Sequence, residues 1–212
     1  MNSFAAEISA SLPSGITLPS EFVATFNWLE LNNFVQRSRT GQRYASLFPA
    51  GVTHRSCIGF LAVDPGHAKS WCDPPDAAAR LAPFIRTGGD GSYAGLWVDD
   101  QGRQHFVHMG SGSGSTLACV LTNNPVDMLR FLAIGYDEAC WPEHFKLTAK
   151  QTWALNETGD DSVLPSAFQQ FVATTFGVTI PDRASQIVKR TAKMDDVNSD
   201  DPFCRWIRSC DT

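Results

Sequence analysis

The chain has no run approaching the roughly 18 consecutive apolar residues of a membrane-spanning helix. Its first residues, M-N-S-F-A-A-E-I, carry neither the basic lead nor the apolar segment of an export signal. A soluble, unexported, cytoplasmic protein is therefore expected. Positive charge is also scarce, with 17 Lys and Arg against 22 Asp and Glu and a net charge of −5. Nucleic acid and anionic membranes both require clustered Lys and Arg, so neither is an expected partner, and a macromolecular partner should be basic.

Signatures of chemistry are missing as well. There is no Cys-x-x-Cys and no His-Glu-x-x-His, so no metal site is expected. No Gly-x-Ser-x-Gly is present, and the glycine-rich run Gly110-Ser-Gly-Ser-Gly-Ser115 has no Lys-Ser/Thr to close a phosphate loop. That run reads as a flexible link between strands, and no cofactor is expected. The six cysteines (Cys57, Cys72, Cys119, Cys140, Cys204, Cys210) show no short regular spacing. In a chain that is 43% apolar and able to build its own core, they are expected to be reduced thiols.

What is present concentrates between Pro83 and Tyr136. Eight of the sixteen glycines fall between Gly88 and Gly114 and separate short apolar segments, the pattern of paired strands closed by a helix. Residues 84–86 lead into the turn Thr87-Gly88-Gly89-Asp90-Gly91. Residues 92–98 are apolar at both parities, which predicts a central strand covered on both sides. Asp99-Asp100-Gln101-Gly102-Arg103 reads as a hairpin loop, residues 104–109 as the partner strand and 117–121 as a further buried strand. Asn124 and Pro125 then start a helix with Leu129, Leu132, Ala133 and Tyr136 on one face.

On either side the pattern is mainly helical. Residues 1–17 are weakly patterned. Pro19, Glu21, Phe22, Phe26 and Leu29 mark an amphipathic helix over 19–30. Residues 32–49 are ambiguous, and Arg37, Arg39 and Arg43 read as a solvated face. Residues 57–63 suggest a buried strand, and 77–81 a helical stretch ended by Pro83. Asn156 to Asp161 is the expected boundary between a domain of residues 1–155 and a helical extension, 156–212. In the extension, helices are expected near 168–176, capped by Gly177, and over 181–190. The acidic tail should dock back through Phe203, Trp206 and Ile207.

Candidate functional residues are few. His105 and His108, three apart on a strand, project to opposite faces and cannot share an ion. Cys119 and His108 could meet across neighbouring strands, but the apolar run around Cys119 would raise its pKa and leave it inert. Asp90, Asp99 and Asp100 suit turns, and beside Tyr93 and Trp97 they would also suit a protein-binding face.

These segments resemble the SMI1/KNR4 family of the SUKH superfamily. The resemblance covers about residues 16–140. It rests on Leu18-Pro19 opening a helix with Phe22 and Phe26, on the stretch from Pro83 through Thr87-Gly88-Gly89-Asp90-Gly91, and on Cys119-Val120-Leu121 leading to Phe131-Leu132. Where the family commonly has an Asn-Gly-Gly turn, this chain has Leu31-Asn32-Asn33-Phe34. The resemblance implies an α+β fold with a mixed or mainly antiparallel sheet flanked by helices. It also implies a non-catalytic role. Bacterial members are largely immunity proteins that neutralise a cognate toxin, often a nuclease, and eukaryotic relatives regulate cell-wall synthesis through protein contacts. The expected partner is thus a basic toxin domain, contacted through Asp90, Tyr93, Trp97, Asp99, Asp100 and His108. The alternatives are a scaffold that docks a partner through 160–212, or a small-molecule enzyme using Cys119 and His108.

Overall fold

A computed structural model describes residues 2–155 and 161–210. Seven antiparallel strands lie side by side in chain order: β1 (Val35–Arg37), β2 (Arg43–Ser46), β3 (Gly59–Leu61), β4 (Leu81–Arg86), β5 (Tyr93–Val98), β6 (Gln104–Met109) and β7 (Ala118–Thr122). The helices are α1 (Phe4–Ser11), α2 (Ser20–Leu31), α3 (Pro65–Ala68), α4 (Pro75–Ala78), α5 (Pro125–Leu132), α6 (Ala149–Trp153), α7 (Ser166–Phe176) and α8 (Pro202–Ser209). This is the expected α+β class, with an antiparallel sheet flanked by helices.

Strand register assigns each side chain to a face. Val35, Ala45, Phe60, Ile85 and Ala94 line up across β1 to β5 on the first face. The Phe22 ring of α2 lies over this face, with centroids 6.3, 5.7 and 5.0 Å from Phe60, Phe84 and Phe106. A fully buried Phe of this kind typically contributes about 3–5 kcal/mol against truncation to Ala. On the same side Asn124 caps α5 as predicted, and Gly177 ends α7 at φ 64°. Phe171 of α7 stacks on Trp28 at 4.4 Å, so α7 belongs to the first core.

The second face carries Tyr93 and Trp97 of β5 and Val107 and Met109 of β6. Phe203 and Ile207 of α8, with Trp71 and Leu81, bury it. The strand at 93–98 is therefore covered on both sides, and the tail docks back, both as expected. Asp201 fixes that docking by accepting the Cys204 N–H at the start of α8 and the Val120 N–H of β7.

Several expectations are corrected. Residues 4–11 form α1, capped by Ser3 and burying Phe4, Ala5 and Ile8. Three buried positions in eight residues are too few to register as a period. The helical stretch expected over 77–81 stops at Ala78, and Pro83 lies within β4 at a bulge. A bulge tolerates a residue that cannot donate to the ladder. Residues 181–190 hold only a short 3-10 turn, Ala184–Gln186. Cys72 and Cys210, 138 residues apart, form a disulfide rather than two thiols, because the docking of α8 brings them to a Cα separation of 5.2 Å. Residues 156–160 of the expected boundary loop lie outside the described residues.

Candidate functional site

The sheet's second face is covered unevenly. α8 and the segment holding Trp71 lie over β5 to β7. Among the described residues the portion formed by β1, β2 and β3 carries no helix on this face, and it walls a cleft of about 580 Å³. Register explains its lining, because Gln36, Tyr44 and Leu61 form one row and Ser46, Gly59, Arg86 and Tyr93 the next. Gly59 leaves the floor between Ser46 and Arg86 without a side chain. The lining mixes polar side chains with Val52, Ile58 and Leu61, and its charged or chargeable groups are His54 and Arg86, whose Nε donates to the Gly88 carbonyl at 3.1 Å.

The six residues expected to meet a partner do not share one face. His108 is fully buried. Its Nδ1 lies 3.0 Å from the Leu117 carbonyl, which can only accept, so Nδ1 carries the proton and Nε2 accepts from the Thr87 hydroxyl at 2.9 Å. Burial lowers its pKa to about 4, which keeps the ring neutral. Trp97 is 2% exposed beneath Phe203 and Trp206. Asp99 is buried in the hairpin loop and accepts from the N–H groups of Gln101 and Arg103, from the Arg103 guanidinium and from His105. Those bonds outweigh desolvation and hold its carboxyl well below the ordinary range. Asp100 is exposed and pairs with Arg80 at 2.8 Å. His108 thus has no surface to offer a partner, whereas the edges of Trp97 and Asp99 border, with Asp100, a smaller cleft of about 350 Å³ beside α8.

Asp90 explains the glycine-rich run. Its carboxylate accepts from the Ser92 N–H and hydroxyl, the Ser111 hydroxyl and the Ser115 N–H, all between 2.8 and 2.9 Å. Desolvation acts to raise its pKa, but these bonds prevail and lower it. A Cβ on Gly88 or Gly114 would lie 2.5 and 2.6 Å from the carboxylate oxygens. The run expected to be a flexible link is a fixed loop closed around an internal anion.

Tyr93 alone of the six reaches the larger cleft, where it pairs across strands with Arg86. Arg86, Tyr44 and Gln36 were missed as site residues because their placement on one face, in neighbouring rows, depends on register across four strands. Arg43, read as part of a solvated face, instead pairs with Glu7 and Glu30 and lies 5.5 Å over the Phe4 ring.

The described residues give limited means for catalysis. Cys119 is paired in register with His108, yet both ring nitrogens of His108 are engaged elsewhere. Burial pushes the Cys119 thiol up to about 12 and also raises Cys57, Cys140 and Cys204. His105 and His108 fall on opposite faces, as expected. Among the described residues no group of three or more His, Cys, Asp or Glu is placed to hold a metal ion, and no helix is long and apolar enough to cross a membrane. No protein-family model, curated protein or solved structure matches this chain.

Proposed function

We propose that the chain is a non-catalytic immunity protein that binds and neutralises a cognate bacterial toxin in the cytoplasm, without a cofactor. The observation that carries this reading is the uncovered β1 to β3 portion of a sheet whose remaining surface is layered on both sides. A rigid, open, mixed polar and apolar face is suited to a protein partner. The resemblance to SMI1/KNR4 proteins supports the role, and the net charge of −5 would speed capture of a basic toxin. Co-expression with the toxin domain encoded beside it should restore growth, and Tyr44→Glu with Leu61→Glu should abolish rescue while thermal stability is kept. Rescue that survives both substitutions places the contact elsewhere, and no rescue by the unaltered chain ends the immunity reading. A scaffold without a toxin would use the same face but capture a partner with no effect on toxin survival.

A further inference from the structure

We infer that the cleft on β1 to β3 recognises a carboxylate carried by an acidic side chain of the bound partner, held by Arg86 and Tyr93. The inference rests on the reading of this face as the partner surface and names the chemistry read there. Arg86 and Tyr93 are direct cross-strand neighbours, and both line the cleft. The Nε of Arg86 donates to the Gly88 carbonyl, which orients the guanidinium. Among the described residues, its two terminal nitrogens and the Tyr93 hydroxyl have no hydrogen-bond partner. The Tyr93 ring is itself held edge-on by His67 at 4.3 Å and flanked by Trp71 at 6.0 Å.

Charge complementarity selects the occupant. The residues lining the cleft include no carboxylate, although the chain as a whole has an excess of acids. Glu138, close enough to the Cys57 thiol to perturb it, is already held by the Gly89 N–H at 2.7 Å and the Trp141 indole N–H at 2.7 Å. Arg86 is therefore a cation oriented through its Nε and, among the described residues, without an ion-pair partner, beside a phenol whose proton burial retains. A planar fork with an adjacent O–H donor matches a carboxylate, which accepts two guanidinium bonds and one more. A cleft of about 580 Å³ admits an acidic side chain with its flanking backbone.

Two measurements test this on the full chain. In an NMR titration, N-acetyl-Gly-Glu-Gly-amide should shift the Arg86 Nε–H and the Gly88 and Gly89 amides, whereas the Gln counterpart should not. Equal shifts with both peptides, or shifts mapping away from the cleft, overturn the proposal. In the second, Arg86→Gln should weaken the complex with the toxin domain by about tenfold or more, Tyr93→Phe should weaken it less, and Arg86→Lys should retain part of the affinity. Undiminished affinity in folded Arg86→Gln and Arg86→Lys overturns the carboxylate site but leaves the immunity reading. A Glu-specific shift with no rescue from the toxin does the reverse.

Discussion

The Asp90 carboxylate accepts the Ser115 backbone N–H at 2.8 Å across 25 residues, tying the β4–β5 turn to the loop before β7. Asp90→Asn keeps the shape but replaces one acceptor oxygen with an N–H₂ facing donors. Hydrogen bonds to a charged group are each worth roughly 1.5–3 kcal/mol, so a net loss of about 2–4 kcal/mol is expected. Urea unfolding monitored by tryptophan fluorescence measures it. A change under about 0.5 kcal/mol, the size expected of an ordinary surface substitution, would show that the loop does not depend on this anion.

His108 makes the fold sensitive to mild acid. Its pKa is about 4 in the folded chain, against an ordinary 6.5. The unfolded chain therefore binds more protons between those values, and stability falls as pH drops through that window. The His108 contribution is fully present above pH 6.5 and is lost by about pH 4, on the order of 3 kcal/mol. His54 and His67, also lowered by burial, add to the same slope, while Asp201, raised by burial, opposes it at the lower end. The diagnostic quantity is thus the difference between wild type and His108→Gln. The variant should start less stable at pH 7 and lose less between pH 6.5 and 4, and parallel curves would contradict a neutral buried imidazole.

Parts of the fold set by local chemistry were legible in the sequence. Asn124-Pro125 capped α5, Gly177 closed α7, and two-sided apolarity placed β5 in the interior of the sheet. What escaped depends on long-range register. Pro83 reads locally as a helix breaker, and only its pairing opposite Gly95 reveals a bulged strand. The candidate site shows the same division. Asp90, Asp99 and Trp97 were noticed for their chemistry, yet their roles are internal. Arg86 lies within the stretch from Pro83 to Gly91, but its meaning comes from lying beside Tyr93 on a face that α8 leaves open.

Gly95→Ala tests that pairing. A Cβ at this position would lie 1.9 Å from the Ala82 carbonyl oxygen and 2.9 Å from the Pro83 Cα, both backbone atoms in the middle of the sheet. Neither can swing aside as a side-chain tip could, so β4 and β5 must separate. The cost should exceed the roughly 1–3 kcal/mol of ordinary overpacking. Circular dichroism should show loss of the folded state or a fall in Tm of more than about 10 °C. A folded variant with a wild-type melting curve would disprove the close β4–β5 approach.

The Cys72–Cys210 disulfide fastens the far end of α8 over the second core. That helix also buries Phe203, Cys204 and Ile207, so breaking the link should loosen α8 without dissolving the sheet. A disulfide closing so long a loop contributes roughly 2–4 kcal/mol, and Cys72→Ser or reduction by a dithiol should lower stability by about that amount. The clearest readout is local. Trp97 of β5 packs at 5.5 Å against Trp206 of α8, so partial release should red-shift tryptophan emission and open residues 190–200 to proteases while β4 to β7 stay protected from hydrogen exchange. Compartment enters the same experiment, since cytoplasmic placement favours thiols whereas a persistent disulfide requires an oxidising environment. Protein alkylated in denaturant at lysis, so that the buried thiols also react, and weighed by mass spectrometry distinguishes them. Six modified cysteines would mean that α8 is held in the cell by packing and Asp201 alone, whereas four would mean that the link is part of the working fold.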